Sequence, residues 1–259
     1  MTEHVLHERL GSTTVITLNR PEARNAMTAA MESTVASLLA DAQRDPEVRA
    51  VVITGIGKAF CAGADLRANA TKGPVMREVE APGFGGYTWN FIDKPTIAAV
   101  NGFALGGGME LCLASDLVVA GEDAVFGLPE VKRGIVAGAD GMHRLARQMP
   151  PKVAFDYLFT GRFMDAATAE RWGLVSRLVP AGQALVAALA LADEIAANAP
   201  LAVSTTKRVA HAAYDGVWSD DVERHRFTTE ERNKIMTTED AHEGALAFTE
   251  KRAPNWTGR

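Results

Sequence analysis

Short β-branched apolar runs dominate the first half of the chain, and apolar residues at helical spacing dominate the second. Residues 13–18 (TTVITL) read as a strand closed by Asn19-Arg20-Pro21, because β-branched residues suit a pleated surface and proline ends a ladder. Residues 28–42 have helical spacing, with Thr28 as a cap and Glu32 nearby. Residues 49–54 form a second strand closed by Gly55, and 97–100, 117–120 and 124–126 are further short strands. Residues 58–65 read as a small-residue turn, and 109–114 as a helix that follows a run of glycines. Strands that alternate with helices imply crossover units, hence an α/β architecture with a largely parallel sheet.

Residues 67–92 break the periodicity, and 69–86 have the glycine, proline and mixed-charge composition of a mobile loop or lid. From Gly138 onward the pattern is helical, over 154–159, 166–172, 183–198, 201–214, 220–236 and 239–251, with only 175–179 as a strand. The reading divides the chain into a core over 1–195 and a helical region over 196–259 that packs on a neighbouring subunit.

Composition narrows the classes. At 259 residues with 47% apolar content, the chain suits one large globular domain or a core with an appendage. Its longest apolar runs, 96–100 and 184–192, are far short of a membrane span. The start, Met-Thr-Glu-His, lacks a secretory pattern, so a cytoplasmic protein is expected. The net charge of −5 is spread along the chain without a Lys/Arg block, which argues against nucleic-acid and membrane partners. Cys61 and Cys112 have no metal-ligand spacing and read as free thiols, and the histidines show no HExxH pattern, so no metal is expected.

Two carboxylates stand out. Glu110 ends the run Asn101-Gly-Phe-Ala-Leu-Gly-Gly-Gly-Met-Glu, and Glu130 ends Phe126-Gly-Leu-Pro-Glu. Two carboxylates near one reacting centre can divide acid and base duties when their surroundings separate their proton affinities. Glycines before a helix free backbone N–H groups to meet developing negative charge, helped by the helix dipole. The same glycines also fit a close-packed turn with only steric meaning. Neither phosphate-loop pattern fits, since no Gly-Lys-Ser/Thr follows and Leu111 stands where G-x-G-x-x-G needs its last glycine. Cys61-Ala-Gly-Ala-Asp65 can supply a second N–H, or can be an ordinary loop with Asp65 as a cap. Pro129-Glu130 is followed by Gly134, Gly138 and Gly141, which marks an unusual backbone path.

Taken together, Leu18-Asn-Arg-Pro-Glu-Ala-Arg-Asn-Ala26, Ala59-Phe-Cys-Ala-Gly-Ala-Asp65, Lys94-Pro-Thr-Ile-Ala-Ala-Val-Asn-Gly102, Gly106-Gly-Gly-Met-Glu110 and Gly127-Leu-Pro-Glu130 resemble the crotonase (enoyl-CoA hydratase/isomerase) superfamily in order and spacing. Trp172-Gly-Leu-Val175 and Phe248-Thr-Glu-Lys-Arg252 extend the likeness over essentially the whole chain. The resemblance implies a spiral of ββα units with a C-terminal helical region, assembled as trimers or dimers of trimers. It further implies an acyl-CoA thioester substrate, in which coenzyme A is no separate cofactor, and a place in fatty-acid metabolism.

By position, the resemblance puts the oxyanion amides on Ala64 and Gly107 and the hydratase carboxylates on Glu110 and Glu130. Glu130 would exchange the proton at C2, while Glu110 would deprotonate the water that adds at C3. Gly138 would line the acyl pocket. Ala62, Ala64, Asp65 and Leu66 would wall the adenine, Lys58 and Arg67 would face the phosphates, and Lys251 would reach coenzyme A across a subunit boundary. A lysine frequent in the first motif is Glu22 here, with Arg24 available to replace its charge. Ala137-Gly-Ala-Asp140-Gly departs from the usual Pro-Gly-Ala-Gly-Gly. Asp140 either caps the next helix, the favoured reading, or meets a polar substrate group.

Residues 82–87 and the C-terminal ending resemble the subgroup that contains carnitinyl-CoA dehydratases. The leading expectation is hydration of a trans-2-enoyl-CoA. Dehydration of a polar 3-hydroxyacyl-CoA comes next, then double-bond isomerisation. A binding role, such as on RNA, would need a basic, aromatic face, which 7% aromatic content and an acidic balance do not supply.

Overall fold

The computed structural model describes residues 4–65, 82–198, 200–211 and 236–254, with 213–214, 217–218, 226, 229–230 and 233–234. Leu66, Arg67, most of the expected 67–92 segment and most of the expected 220–236 helix lie outside the described residues.

Two sheets are threaded by one repeating path. The larger holds six strands in the order β1 (Val5–Leu10), β2 (Thr13–Leu18), β3 (Ala50–Gly55), β5 (Thr96–Val100), β7 (Leu117–Gly121) and β10 (Arg177–Val179). Only the edge pair β1–β2 is antiparallel, and the rest of the sheet is parallel. The smaller holds β4 (Ala59–Cys61), β6 (Phe103–Leu105), β8 (Val125–Gly127) and β9 (Met164–Asp165). Each of β3, β5 and β7 runs on into a strand of the smaller sheet, and β6 leads into a helix, so the chain winds in ββα turns. This is the expected α/β spiral.

Burial explains the unbroken apolar runs. Ile16, Leu18, Val51, Ile53, Ala98, Val100, Val118 and Ala120 face the main core with helix α1 (Ala29–Arg44). Their neighbours Val15, Ala50, Val52, Ile97, Ala99 and Val119 face a second core against Ala188, Leu191 and Ala192 of α6 (Ala184–Ala196). A parallel sheet covered on both faces reads as continuous hydrophobic sequence. Thr28 caps α1, its Oγ1 accepting from the Met31 N–H.

Three departures have physical reasons. Strand β1 escaped the pattern because it is a mostly exposed edge strand. Strands β4 and β6 are three residues each, too short to show a period. Residues 83–88 form no exposed lid: they are buried around a turn at Phe84–Gly86. Their glycines serve close packing, since a Cβ on Gly86 would lie 2.1 Å from the Glu32 carbonyl.

Helix α7 (Pro200–Ala210) is tied to the core through Asp116. Asp116 accepts from the Thr96 N–H and pairs with Lys207 Nζ, both at 2.7 Å, while His211 Nε2 lies 3.0 Å away. Burial opposes the Asp116 charge, yet His211, Lys207 and Thr96 hold its proton affinity below the usual value. Among the described residues no helix is long and apolar enough to cross a membrane.

Candidate active site

The site is assembled around the start of helix α2 (Gly107–Ala114), and its three glycines have three different reasons. Gly106 sits at φ +56 and ψ −127, backbone that side chains seldom allow. A Cβ there would also lie 3.0 Å from Glu130 Oε1. A Cβ on Gly107 would lie 2.4 Å from the Phe84 ring, and one on Gly108 would lie 2.0 Å from the Cys61 carbonyl oxygen. The helix start is therefore wedged between the 59–64 segment, the Phe84 wall and a carboxylate.

Two amides emerge from this packing. Met27 pairs with Ala64 in a parallel bridge, in which the Met27 N–H donates to the Gly63 carbonyl and the Asp65 N–H donates to the Met27 carbonyl. That bridge uses the groups flanking Ala64 and turns its own N–H to the opposite side. Gly63 brings this turn against the helix, since a Cβ on it would lie 3.1 Å from the Gly107 nitrogen. Gly107 is the first residue of α2, so its N–H has no carbonyl within the helix to meet. Neither amide donates to a backbone acceptor among the described residues.

Glu110 lies one helical turn further on, its N–H bonded to the Gly106 carbonyl at 3.0 Å. The residue is only 4% exposed. Its Oε1 accepts from the Ala139 N–H at 2.7 Å and from the Gly141 N–H at 2.9 Å. Gly141 opens α3 (Gly141–Gln148), and a Cβ on it would fall 2.9 Å from the same oxygen. Glu130 belongs to the 3-10 turn Pro129–Arg133, where proline presets the first turn. Its Oε2 is buried with no hydrogen-bond partner among the described residues. Burial first, and then the Glu110 charge, push its proton affinity up to about 8.

The residues named for coenzyme A are brought together in part. Arg24 and Ala62 are adjacent, with the Ala62 N–H donating to the Arg24 carbonyl at 3.0 Å. Asn25 sews these segments together: it is fully buried, its Nδ2 donates to the Ile56 and Ala59 carbonyls, and its Oδ1 accepts from the Arg20 N–H. Arg24 and Lys58 are exposed. Asp65 is paired with Arg20 at 2.8 Å. Gly138 is buried in the 137–141 turn that holds Glu110. Lys251 belongs to a different group, a cavity of about 250 Å³ at the end of α8 (Glu239–Glu250), lined also by Lys132, Arg133, Phe248 and Arg252.

Asp140 corrects the capping expectation. It occupies the position before α3 at φ +73 and is 2% exposed, yet its side chain makes no capping bond. Sequence reasoning also passed over the Ala139 amide, Phe84 and Arg144. Only the glycine-rich spelling of 137–141 and 83–86 hinted at them.

A family model described as "Enoyl-CoA hydratase/isomerase" matches residues 8–259. A carnitinyl-CoA dehydratase of Proteus mirabilis is 40% identical over 252 residues, covering 96% of each chain. A probable enoyl-CoA hydratase of Mycobacterium tuberculosis is 40% identical over 262 residues, covering 99% of each. Among solved structures, a carnitinyl-CoA hydratase from Mycobacterium avium is 52% identical with a TM-score of 0.96, and both chains are fully covered. The chain belongs to the enoyl-CoA hydratase/isomerase family of enzymes.

Proposed function

We propose that the enzyme adds water reversibly to a trans-2-enoyl-CoA, with Glu110 and Glu130 sharing one proton. The observation that carries this reading is the asymmetry of the pair: one carboxylate accepts two amides, and its neighbour has a proton affinity raised to about 8. N–H donors favour the ionised form of a carboxylate and burial favours the neutral form, so near neutrality the shared proton rests on Glu130.

In the hydration direction Glu110 takes a proton from water as its oxygen bonds to C3. The C2–C3 π electrons shift toward the thioester, whose oxygen becomes an enolate held by the Ala64 and Gly107 amides. Preorganised donors of this kind each contribute about 3–4 kcal/mol. The enolate collapses, C2 takes the proton from Glu130, and the pair ends with its proton on Glu110. Proton exchange with solvent resets it. Dehydration runs the same steps backwards. Arg24, Lys58, Ala62, Asp65, Leu66, Arg67 and Lys251 hold the coenzyme A moiety in this reading, and Gly138 lines the acyl pocket.

Relatives named for carnitinyl-CoA support a second reading, dehydration of a polar 3-hydroxyacyl-CoA by the same groups. Loss of enoyl-thioester absorbance with crotonyl-CoA, using Glu130→Gln as control, tests the first. Rapid loss in the wild type alone supports hydration of simple acyl chains. Turnover confined to a quaternary-ammonium hydroxyacyl-CoA selects the second, and a shifted double bond without water addition overturns both. The reading includes a trimer or dimer of trimers. It is supported by the stacked, exposed Phe155 and Phe159, whose ring centroids are 5.5 Å apart, and light scattering measures it.

A further inference from the structure

Two opposite charges that the proton transfers do not use, Asp140 and Arg144, lie one turn apart at the Glu110 turn. Asp140 takes up left-handed backbone at the point where its two neighbours, Ala139 and Gly141, turn their N–H groups onto Glu110 Oε1. Arg144 follows one turn along α3, its N–H closing on the Asp140 carbonyl at 2.9 Å. Its Nη2 then donates to the Thr88 carbonyl at 2.9 Å. Thr88 belongs to the buried 83–88 segment whose Phe84 ring walls the Gly107 amide. One guanidinium thus spans from the turn that holds the carboxylate to the wall behind the oxyanion donor.

The charges are matched as well. Burial weakens Arg144's hold on its proton, and the negative charge of Asp140 is the strongest influence opposing it, followed by Tyr87 and Glu110. Without Arg144, Asp140 would add a second negative charge near Glu130, whose proton affinity the Glu110 charge already raises.

We propose that Asp140 and Arg144 are positioning residues: their opposite charges cancel beside the Glu110–Glu130 pair, and Arg144 pins the Glu110 turn to the 83–88 wall. The inference rests on the hydratase reading of the pair.

Other ionisable groups face the same region. Arg147 lies on α3 itself, Glu110 and a Cys112 kept protonated by burial come from α2, and Tyr87 comes from the wall. On α4 (Pro151–Thr160), which packs on α3, Asp156 is taken up by Arg162 and Lys152 is exposed. Around Glu130, Lys132 and Arg133 follow on the same turn, and α8 brings Lys251 and an Arg252 paired with Glu243. The substitutions below leave all of these in place, so they enter each profile equally.

Asp140→Asn leaves Arg144 uncompensated and should move the upper limb of the kcat/KM–pH profile down by roughly half a unit, while Arg144→Met should move it up by a similar amount. The double variant should return the limb to its wild-type position with kcat still reduced. Arg144→Lys should keep the limb and lose kcat roughly tenfold, because an ammonium lacks the guanidinium's planar reach. Shifts in the same direction, no shift, or a lysine variant with wild-type kcat would overturn the proposal. Should a single variant fail to fold, Arg144→Lys and the double variant carry the test. Titrating the Glu130 carboxyl by carbon-13 NMR in the same proteins reads the shifts without turnover. An inactive wild type would then count against the hydratase reading alone.

Discussion

Two turns set the same kind of side chain within each other's electrostatic reach and treat it in opposite ways. The 139–141 turn spends two backbone N–H groups on Glu110 Oε1, whereas the Pro129–Arg133 turn leaves Glu130 Oε2 buried without a donor. Either arrangement alone would make an ordinary carboxylate, one bound and ionised, the other neutral and inert. In the proposed mechanism the two together give one proton a preferred place, on Glu130, and a second, on Glu110. Acid and base roles in that mechanism follow from where backbone amides point, not from residue type.

The most direct way to break the comparison is to remove each proton-exchanging oxygen. Glu130→Gln and Glu110→Gln should each lower kcat by roughly 10²–10⁴-fold, the span of general acid–base contributions, and leave the affinity for a CoA thioester nearly unchanged by calorimetry. A variant that weakened binding alone would remove its residue from the chemistry. Next, Gly141→Ala should disturb only the Glu110 turn, because the added carbon would meet Glu110 Oε1 at 2.9 Å. A loss of roughly tenfold to a hundredfold in kcat is expected from such a misplacement, with the upper pH limb left near 8.

Stability sharpens the contrast further. The folded protein binds the Glu130 proton up to about pH 8, whereas the unfolded chain releases it near the ordinary value of 4.5. Stability from this group is present at low pH and is lost as pH rises from about 4.5 to about 8. Glu130→Gln should therefore raise stability at pH 8 by on the order of 2 kcal/mol, with little gain at pH 4. Chemical denaturation at both pH values measures this, and Glu110→Gln should show a smaller gain, because it removes only the second cause of the raised affinity.

The smallest effect is the shape of the pH–rate curve. In the proposed mechanism the hydration reaction needs the singly protonated pair, so kcat/KM should fall above about pH 8. A profile that stayed flat through pH 8 would mean that the reaction does not need the proton on Glu130.

Much of the scaffold was legible in the sequence because burial writes itself into patterns. Residues 51–53 and 97–100 are apolar without alternation because both faces of their sheet are covered, and the glycines at 106–108 announced the start of α2. The opposing pattern misled at 83–88, where glycine and proline, the usual marks of an exposed loop, serve a packed wall. Glu110 and Glu130 stood out through their glycine and proline neighbours. The asymmetry of their surroundings did not, because it depends on amides that lie 29 and 31 residues away from Glu110 in the chain. Asp140 reads as a cap by position, and only its burial and missing capping bond set that aside.

The wedge at 106–108 also bears on how this protein could be redesigned. Each of its three glycines is hemmed in by a different element: a carboxylate, an aromatic ring and a backbone carbonyl. No substitution there can be absorbed by one neighbour giving way, so the start of α2 acts as a keystone that tolerates no gradual change. The glycines of the neighbouring segments, Gly83, Gly85, Gly86 and Gly141, are hemmed in as well. A directed-evolution library confined to the non-glycine positions of 82–90 and 137–141 should keep far more folded, active members than one of equal size that includes the keystone.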